Sequence, residues 1–264
     1  MAIDLTPIFS EWRHHPTDES KNVRCIQGVD GHLKIQVRVR CGVFQWEYEG
    51  RPDGGTPYGY PSLLEYYRQR FKDLERLEGS AASLRLTKAQ VEELSEEIMD
   101  YYQRRVLFFR LGEYERARGD ALHNLGLMDV IRDHADDPEA ILQHEKWRAF
   151  VTMDRARADA LVLCQKSSYT ESLRAIDTGI EEISNYFRAQ GREDFIDMSQ
   201  EIAALKDLKL QLRENYNIPL SRAEILESLR EEQAKAIADE DYERAARLRD
   251  EISHFEKDEG IEAT

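Results

Sequence analysis

Residues 22–60 alternate apolar and polar positions with a period of two, which is typical of β-strands. Asp30-Gly31 separates two of these runs and favours a tight hairpin, because glycine tolerates the positive φ that such a turn needs. The alternation changes parity at Cys41-Gly42, so a bulge or a turn is required there. Three strands are marginally stable alone, so we expect one face of this sheet to pack on a helix. The pattern predicts an antiparallel meander with strands at 22–28, 32–40 and 43–49.

From Pro61 onward the apolar positions recur every three or four residues, the period of an amphipathic helix. Thr87 and Gln90 have the spacing of a capping box, so a helix is expected to begin just after Thr87. The helical pattern continues to about residue 213. Four segments interrupt it, near Gly112, at 134–140, near Lys166-Ser167 and at Gly191.

Three stretches of the helical part resemble one another: "LGEYERARGDALHNL", "KSSYTESLRAIDTGI" and "DEDYERAARLRDEI". Each has a polar turn, then a tyrosine, then small residues at which a second helix can pack closely. The tyrosines are Tyr114, Tyr169 and Tyr242, and their spacing has no fixed period. The stretches therefore predict helical hairpins and leave open whether these stack in a tetratricopeptide-like array.

The segment after Pro219 has the features of a further helical hairpin. Ser221 and Glu224 have capping-box spacing, and Leu220 and Ile225 are placed as a hydrophobic staple. The first helix is expected to end near residue 237, and an acidic turn at 238–241 suits the positive end of the next helix dipole. The predicted apolar face of the second helix contains Tyr242, Ala245, Ala246, Leu248, Ile252 and Phe255, with Arg249 inside it.

Residues 221–257 resemble the UVR motif, a helical hairpin found at the C-terminus of UvrB, within UvrC and in some Clp ATPases and their adaptors. The pattern A-A-x-L-R-D-x-I is complete here from Ala245 to Ile252, whereas the family usually has phenylalanine where Tyr242 stands. The resemblance implies a protein-contact module and not a catalytic unit. It leaves open whether the hairpin docks on the preceding helices of its own chain, on another protein or on a second copy of the chain.

The residues that we expect to bind a protein are Tyr242, Ala245, Ala246, Leu248, Arg249 and Ile252. Their apolar members would serve as packing anchors. Arg249 would fix the register of the contact, and a buried arginine needs an acceptor. Glu232 and Gln233 are the nearest candidates by helical position.

The segment "GRPDGG" is the most plausible loop site, because loops held on a sheet often carry function. Arg51 and Asp53, beside Trp46, Tyr58 and Tyr60, would form a small binding surface. We favour the alternative, in which the arginine and aspartate pair with the adjacent helix and the tyrosines pack in the core. Residues 20–65 also loosely resemble the N-terminal part of uncharacterised bacterial proteins that combine a GRPDG loop with a UVR hairpin.

The charge balance argues against a general phosphate-binding surface, since 37 Lys and Arg stand against 52 Asp and Glu, a net charge of −15. The three cysteines show no C-x-x-C spacing, and no phosphate-binding loop is present. His134, Asp136, Asp137 and His144 could ligate a metal, but we expect Asp136-Asp137-Pro138 to cap a helix instead. We therefore expect no cofactor, no metal and no catalytic residue.

Together these features predict a mainly α protein of the α+β class, with a β-meander at 1–60, a helical array at 61–218 and a hairpin at 219–264. We expect a non-enzymatic, cytoplasmic interaction or adaptor protein without a membrane segment. Its partner would be another protein or a second copy of itself. The alternative is a DNA-repair accessory protein that contacts nucleic acid through Arg24, Arg38, Arg40 and Arg51.

Overall fold

The computed structural model describes residues 4–80, 83–220 and 222–257. It is mainly α-helical with one small antiparallel sheet near the N-terminus, which confirms the predicted fold class. The chain divides into two compact units between Leu212 and Arg213. Whether residues 1–60 and 61–218 form separate domains stays a prediction.

The sheet has the predicted meander topology, with strand order β1-β2-β3 and antiparallel pairing throughout. Gly31 in the first connection has a φ of 80°, which explains the Asp-Gly pair there. The second connection is a two-residue turn closed by the pairing of Val39 with Gly42, so the change of parity marks a turn. The strands are β1 Val23–Gln27, β2 Leu33–Val39 and β3 Gly42–Glu47.

Ten α-helices lie within the described residues. In the first unit they are α1 Thr6–Glu11, α2 Leu63–Glu78, α3 Lys88–Leu111, α4 Tyr114–His134, α5 Pro138–Glu145, α6 Arg148–Gln165 and α7 Tyr169–Ala189. Helix α8, Gln200–Tyr216, crosses the division, and the second unit adds α9 Arg222–Ala238 and α10 Tyr242–Lys257. Short 3-10 helices are found at Glu19–Asn22, Pro57–Gly59 and Glu193–Phe195.

The sequence did not predict α1 or the break between α5 and α6. None of the described helices is long and apolar enough to cross a membrane.

Side-chain caps fix the beginnings of two helices as the sequence predicted. The Thr87 hydroxyl accepts the backbone N–H of Gln90, and the Gln90 side chain accepts the N–H of Thr87, which completes the capping box. At α5 the Asp137 carboxylate accepts the N–H of Glu139, and Pro138 is the first helical residue. Within the described residues, no group of three or more His, Cys, Asp or Glu is arranged to hold a metal ion.

One face of the sheet packs on three helices, as expected for a sheet of this size. Ile35 of β2 is fully buried, and Tyr48 meets Phe108 of α3 edge to face at 5.4 Å between ring centroids. Ala117 of α4 and Ala158 of α6 belong to the same cluster. The small alanine side chains bring these helices close to the sheet.

Helix α3 carries Arg104 into the protein interior, where all its donor groups have partners. Nε and Nη2 donate to the Asp120 carboxylate of α4, at 3.0 and 2.7 Å. Nη1 donates to the backbone carbonyls of Glu47 and Gly50, at the end of the sheet. Burial raises the pKa of Asp120, although Arg104 acts in the opposite direction. This one side chain therefore joins α3, α4 and the sheet.

Glu97, about two helical turns before Arg104 on α3, is fully buried. Its two carboxylate oxygens accept the backbone N–H of Leu63, the first residue of α2, at 3.1 and 3.0 Å. His123 Nε2 of α4 lies 2.8 Å from Glu97 Oε1. Since the N-terminus of a helix is its positive end, the Glu97 carboxylate both holds the start of α2 in place and stabilises that helix.

The three stretches that resemble one another in sequence form turns of the same geometry. Within two residues of the end of each first helix, one residue has a positive φ: 73° at Gly112, 59° at Ser167 and 59° at Glu240. In each turn the next N–H donates to the carbonyl five residues earlier, the bond that defines a Schellman motif.

After each of these turns, a tyrosine begins the second helix of the pair. The residue three positions later is small and buried: Ala117 after Tyr114, Ser172 after Tyr169, and Ala245 after Tyr242. The predicted hairpins are therefore confirmed as local units, while a tetratricopeptide-like stacking stays a prediction.

The close contact between α6 and α7 can be tested with two glycines that lie in helix interiors. A β-carbon added at Gly179 of α7 would lie 2.2 Å from the Cβ of Ala156 of α6, whereas one added at Gly119 of α4 meets nothing within 4 Å. Gly179→Ala should therefore destabilise the protein by about 1–3 kcal/mol. Gly119→Ala should stabilise it by about 0.5–1 kcal/mol, because alanine loses less backbone entropy. Urea unfolding measures both, and a stabilised Gly179→Ala variant would contradict the packing described.

Candidate functional site

The second unit contains the helical hairpin that the sequence singled out. Helices α9 and α10 pack through a small cluster of Ala236, Ala245 and Leu248, with Leu229 half-buried against it. Two of these four residues are alanines, so the helix backbones can approach closely. The apolar core of the hairpin is correspondingly small.

The turn between α9 and α10 is closed by backbone and side-chain hydrogen bonds. The N–H of Asp241 donates to the carbonyl of Ala236 at 2.8 Å, and that of Glu240 donates to Ile237 at 3.1 Å. The Asp241 carboxylate then accepts the N–H of Arg244 at 3.0 Å and caps α10. The predicted acidic turn is therefore also the N-cap of the second helix.

Polar contacts across the hairpin show its register. Arg244 pairs with Glu232 at 3.0 Å, and Gln233 Nε2 donates to the carbonyl of Ala245 at 3.4 Å. At the open end Arg222 donates to the carbonyl of Phe255 and lies 4.9 Å from that ring. Residues that are equally far from the turn thus face one another.

Arg249 does not make the contact that we expected. Its side chain is 68% exposed and pairs with the carboxylate of its neighbour Asp250, at 2.9 Å from Nε and 2.7 Å from Nη2. By the register above, Arg249 is level with Ser228. Glu232 lies about one helical turn closer to the loop. The predicted acceptors Glu232 and Gln233 are therefore wrong, because a helical wheel does not fix the register between two helices.

The six predicted binding residues fall into two groups. Ala245, Leu248 and Ile252 are buried, and Ala246 is half-buried. Tyr242 is 68% exposed, and with the exposed Arg249 it makes no contribution to the apolar cluster of the hairpin. The first group lies in or beside the packed face of the hairpin, whereas the second is exposed to solvent.

The rest of the predicted hairpin start is only partly described. Ser221, the expected N-cap, lies outside the described residues. The sequence reading missed Arg222 and Arg213, which pair with Phe255 and Glu224 respectively. The position of Arg222 opposite Phe255 follows from the register of the two helices, which the helical wheel does not fix.

The "GRPDGG" loop follows the favoured structural interpretation only in part. Arg51 Nε lies 3.5 Å from Glu97 of α3, which confirms its pairing with the adjacent helix. Asp53 contacts Arg51 at 2.9 Å and accepts the N–H of Gly55, so its expected pairing with the helix is wrong. Tyr58 stacks on Tyr66 at 4.5 Å and is 57% exposed, so it does not pack as a core residue.

An open cleft of about 780 Å³ borders this loop and is lined by Arg51 together with Lys34 and Glu47 of the sheet. Lys34 Nζ pairs with Glu47 at 2.5 Å and with Asp30 at 2.6 Å. Next to the loop, burial and the nearby carboxylate of Asp53 raise the pKa of Asp100 of α3. The charged side chains that line the cleft thus all have partners, and we assign no chemistry to it.

A comparison with protein-family models identifies the hairpin. The model of the UvrB/uvrC motif matches residues 223–258, which confirms the resemblance seen in the sequence. Among curated proteins and among solved structures, nothing matches the chain. The family match therefore concerns the second unit.

The strained turn of the hairpin allows a stability test. Glu240 has a φ of 59°, a conformation that costs a non-glycine residue about 1 kcal/mol. Glu240→Gly should therefore stabilise the hairpin by about 0.5–1 kcal/mol, seen as slower amide hydrogen exchange in α9 and α10. Asp239→Gly, next to it and without a positive φ, is the control and should speed that exchange. Equal effects of the two variants would argue against the turn geometry.

Proposed function

We propose that this chain is a non-enzymatic interaction or adaptor protein that binds another protein through its C-terminal hairpin. The observation that carries the proposal is the division within the motif. Its Ala245 and Leu248 belong to the hairpin core, whereas Tyr242 and Arg249 stay exposed. Motif positions whose side chains do not stabilise the hairpin are best explained by an external contact.

The exposed residues have the chemistry of a protein interface. Tyrosine and arginine are enriched among the residues that dominate binding energy, because each combines a large contact area with hydrogen-bonding groups. Ile237, on the other side of the turn from Tyr242, is 52% exposed. The turn end of the hairpin thus presents one aromatic and one aliphatic side chain to a partner.

The DNA-repair alternative depends on four arginines of the N-terminal region, and their contacts give it less support. Arg24 donates to the side chain of Gln36 through Nε and Nη2, at 3.0 and 2.8 Å. Arg38 is buried and donates to the carbonyls of Trp12 and Gly42. Arg51 is held by Asp53 and Glu97, which leaves Arg40 as the exposed member of the four. Phosphate binding requires several free cations on one surface.

The proposal predicts that Arg249 matters for binding and not for stability. Arg249→Ala should change the free energy of unfolding by less than about 0.5 kcal/mol, because an exposed ion pair contributes little. The same variant should weaken partner retention by about fivefold or more, as expected when an interface residue contributing more than 1 kcal/mol is truncated. Quantitative affinity capture with the full chain as bait measures retention, and hydrogen exchange measures stability.

The matched control is Arg247→Ala, on the same helix but at a variable position of the motif. Arg247 is also exposed and pairs with Glu243, so both variants remove one charge from an exposed ion pair. Arg247→Ala should retain the partners of the unmodified chain. If both variants retain the same proteins at the same level, the hairpin does not dock through Arg249. Sedimentation at increasing concentration shows whether the partner is a second copy.

The nucleic-acid alternative predicts a different behaviour. Binding of labelled duplex DNA should be tight at low salt and should weaken steeply as salt rises, because released counterions drive such binding. Fluorescence anisotropy of the labelled duplex measures this dependence. Absence of binding at low salt would exclude the alternative.

A further inference from the structure

A second site lies in the first unit, far along the chain from the hairpin. A cavity of about 390 Å³ is enclosed by α3, α4, α5 and the start of α6. This volume is within the range of small-molecule pockets, about 300–1,000 Å³. Met128 and Val151 line its buried part, whereas Met99 and Trp147 are more than half exposed and mark its mouth.

Arg105 lies in the wall of this cavity and is fully buried. Its Nε donates to the Asp154 carboxylate of α6 at 2.9 Å. Its Nη1 and Nη2 make no hydrogen bond within the described part of the chain. Buried arginine nitrogens normally have acceptors, as all three have in the adjacent Arg104. The guanidinium thus offers two parallel donors to the cavity.

Asn124, also in the cavity wall and fully buried, adds a second polar atom. Its Nδ2 donates to the carbonyl of Ile98 at 3.0 Å, while Oδ1 has no partner among the described residues. The remaining walls are mainly apolar or aromatic. Tyr102 lies 5.3 Å from the Arg105 guanidinium, and Trp147 meets Phe150 edge to face at 6.2 Å. The cavity therefore combines one fork of donors and one acceptor with an apolar interior.

We propose that this cavity binds a small carboxylate with an aromatic or aliphatic body, whose two oxygens accept from Nη1 and Nη2 of Arg105. A planar carboxylate matches the guanidinium fork, and the apolar walls match the rest of the molecule. Asn124 Oδ1 accepts from a hydroxyl or N–H of the ligand, if it carries one.

The charge of the site favours a monoanion over a phosphate. Arg105 is the one Lys or Arg side chain among the residues that line the cavity, and Asp154 already compensates part of its charge. A doubly charged phosphate would be left with an excess of negative charge in an apolar surrounding. A monocarboxylate carries a single negative charge, which Nη1 and Nη2 of Arg105 can both contact.

Methionine methyl groups report binding in the full-length chain. Met99 and Met128 line the cavity, Met153 does not, and Met198 lines a different cleft. In a sample with ¹³C-labelled methionine methyls, millimolar 3-phenylpropionate should shift the Met99 and Met128 signals saturably. The affinity for the neutral 3-phenylpropionamide should be at least about tenfold lower, because the amide cannot form charge-assisted hydrogen bonds.

Variants distinguish the site from general apolar binding. Arg105→Lys keeps the charge but loses the fork, so affinity for the carboxylate should fall about tenfold while the methyl spectrum stays dispersed. Met99→Trp should close the mouth and abolish the shift of Met128 even if Arg105→Lys fails to fold. The matched control is Leu142→Trp. Leu142 is exposed and lines the same cleft as Met198, so this variant should leave carboxylate binding unchanged.

Three results would overturn the proposal. They are equal affinities for the carboxylate and the amide, unchanged binding to a folded Arg105→Lys variant, and absence of any saturable shift of Met99 and Met128 at millimolar carboxylate. The last result would mean that Nη1 and Nη2 are satisfied by water alone.

Discussion

The first unit depends on the pairing of charged side chains that α3 places in the interior. Glu97, Arg104 and Arg105 are at most 4% exposed. Removing the partner of such a charge typically costs about 3–5 kcal/mol, because the remaining ion is left buried and uncompensated. The partners lie on α2, α4, α6 and the end of the sheet. Each of these elements therefore has one position relative to α3 in which the charges are satisfied, and apolar packing alone would not select it.

Small residues make that arrangement possible. The small side chains of Ala117 and Ala158 let α4 and α6 pack closely on the sheet. Gly179 lets α7 approach Ala156 of α6. Close backbone approach brings the short Asp120 and Asp154 side chains within hydrogen-bonding distance of the arginines. Longer side chains at the helix contacts would separate the charges and leave them buried without partners.

The sheet and several of the helix boundaries could be predicted because their signals are local. The change of parity at Cys41-Gly42 and the capping box at Thr87 each involve residues within a few positions of one another. The pairing of Arg105 with Asp154 spans 49 positions, and charged residues on a predicted helix are normally assigned to its exposed surface. In the hairpin, the wheel identified the residues that pack but not the register of the helices. The acceptor proposed for Arg249 was wrong for that reason.

The exposed Arg249 and the buried Arg105 support a binding role for different reasons. An exposed guanidinium is solvated, so the role proposed for Arg249 rests on the match to the UvrB/uvrC motif and not on its exposure alone. A buried guanidinium has lost that solvation, so its free Nη groups require an acceptor that the described chain does not supply. Arg104, one residue earlier on the same helix, shows that this interior can satisfy an arginine completely. The incompletely paired Arg105 lies in the wall of the cavity, where an external molecule can reach it.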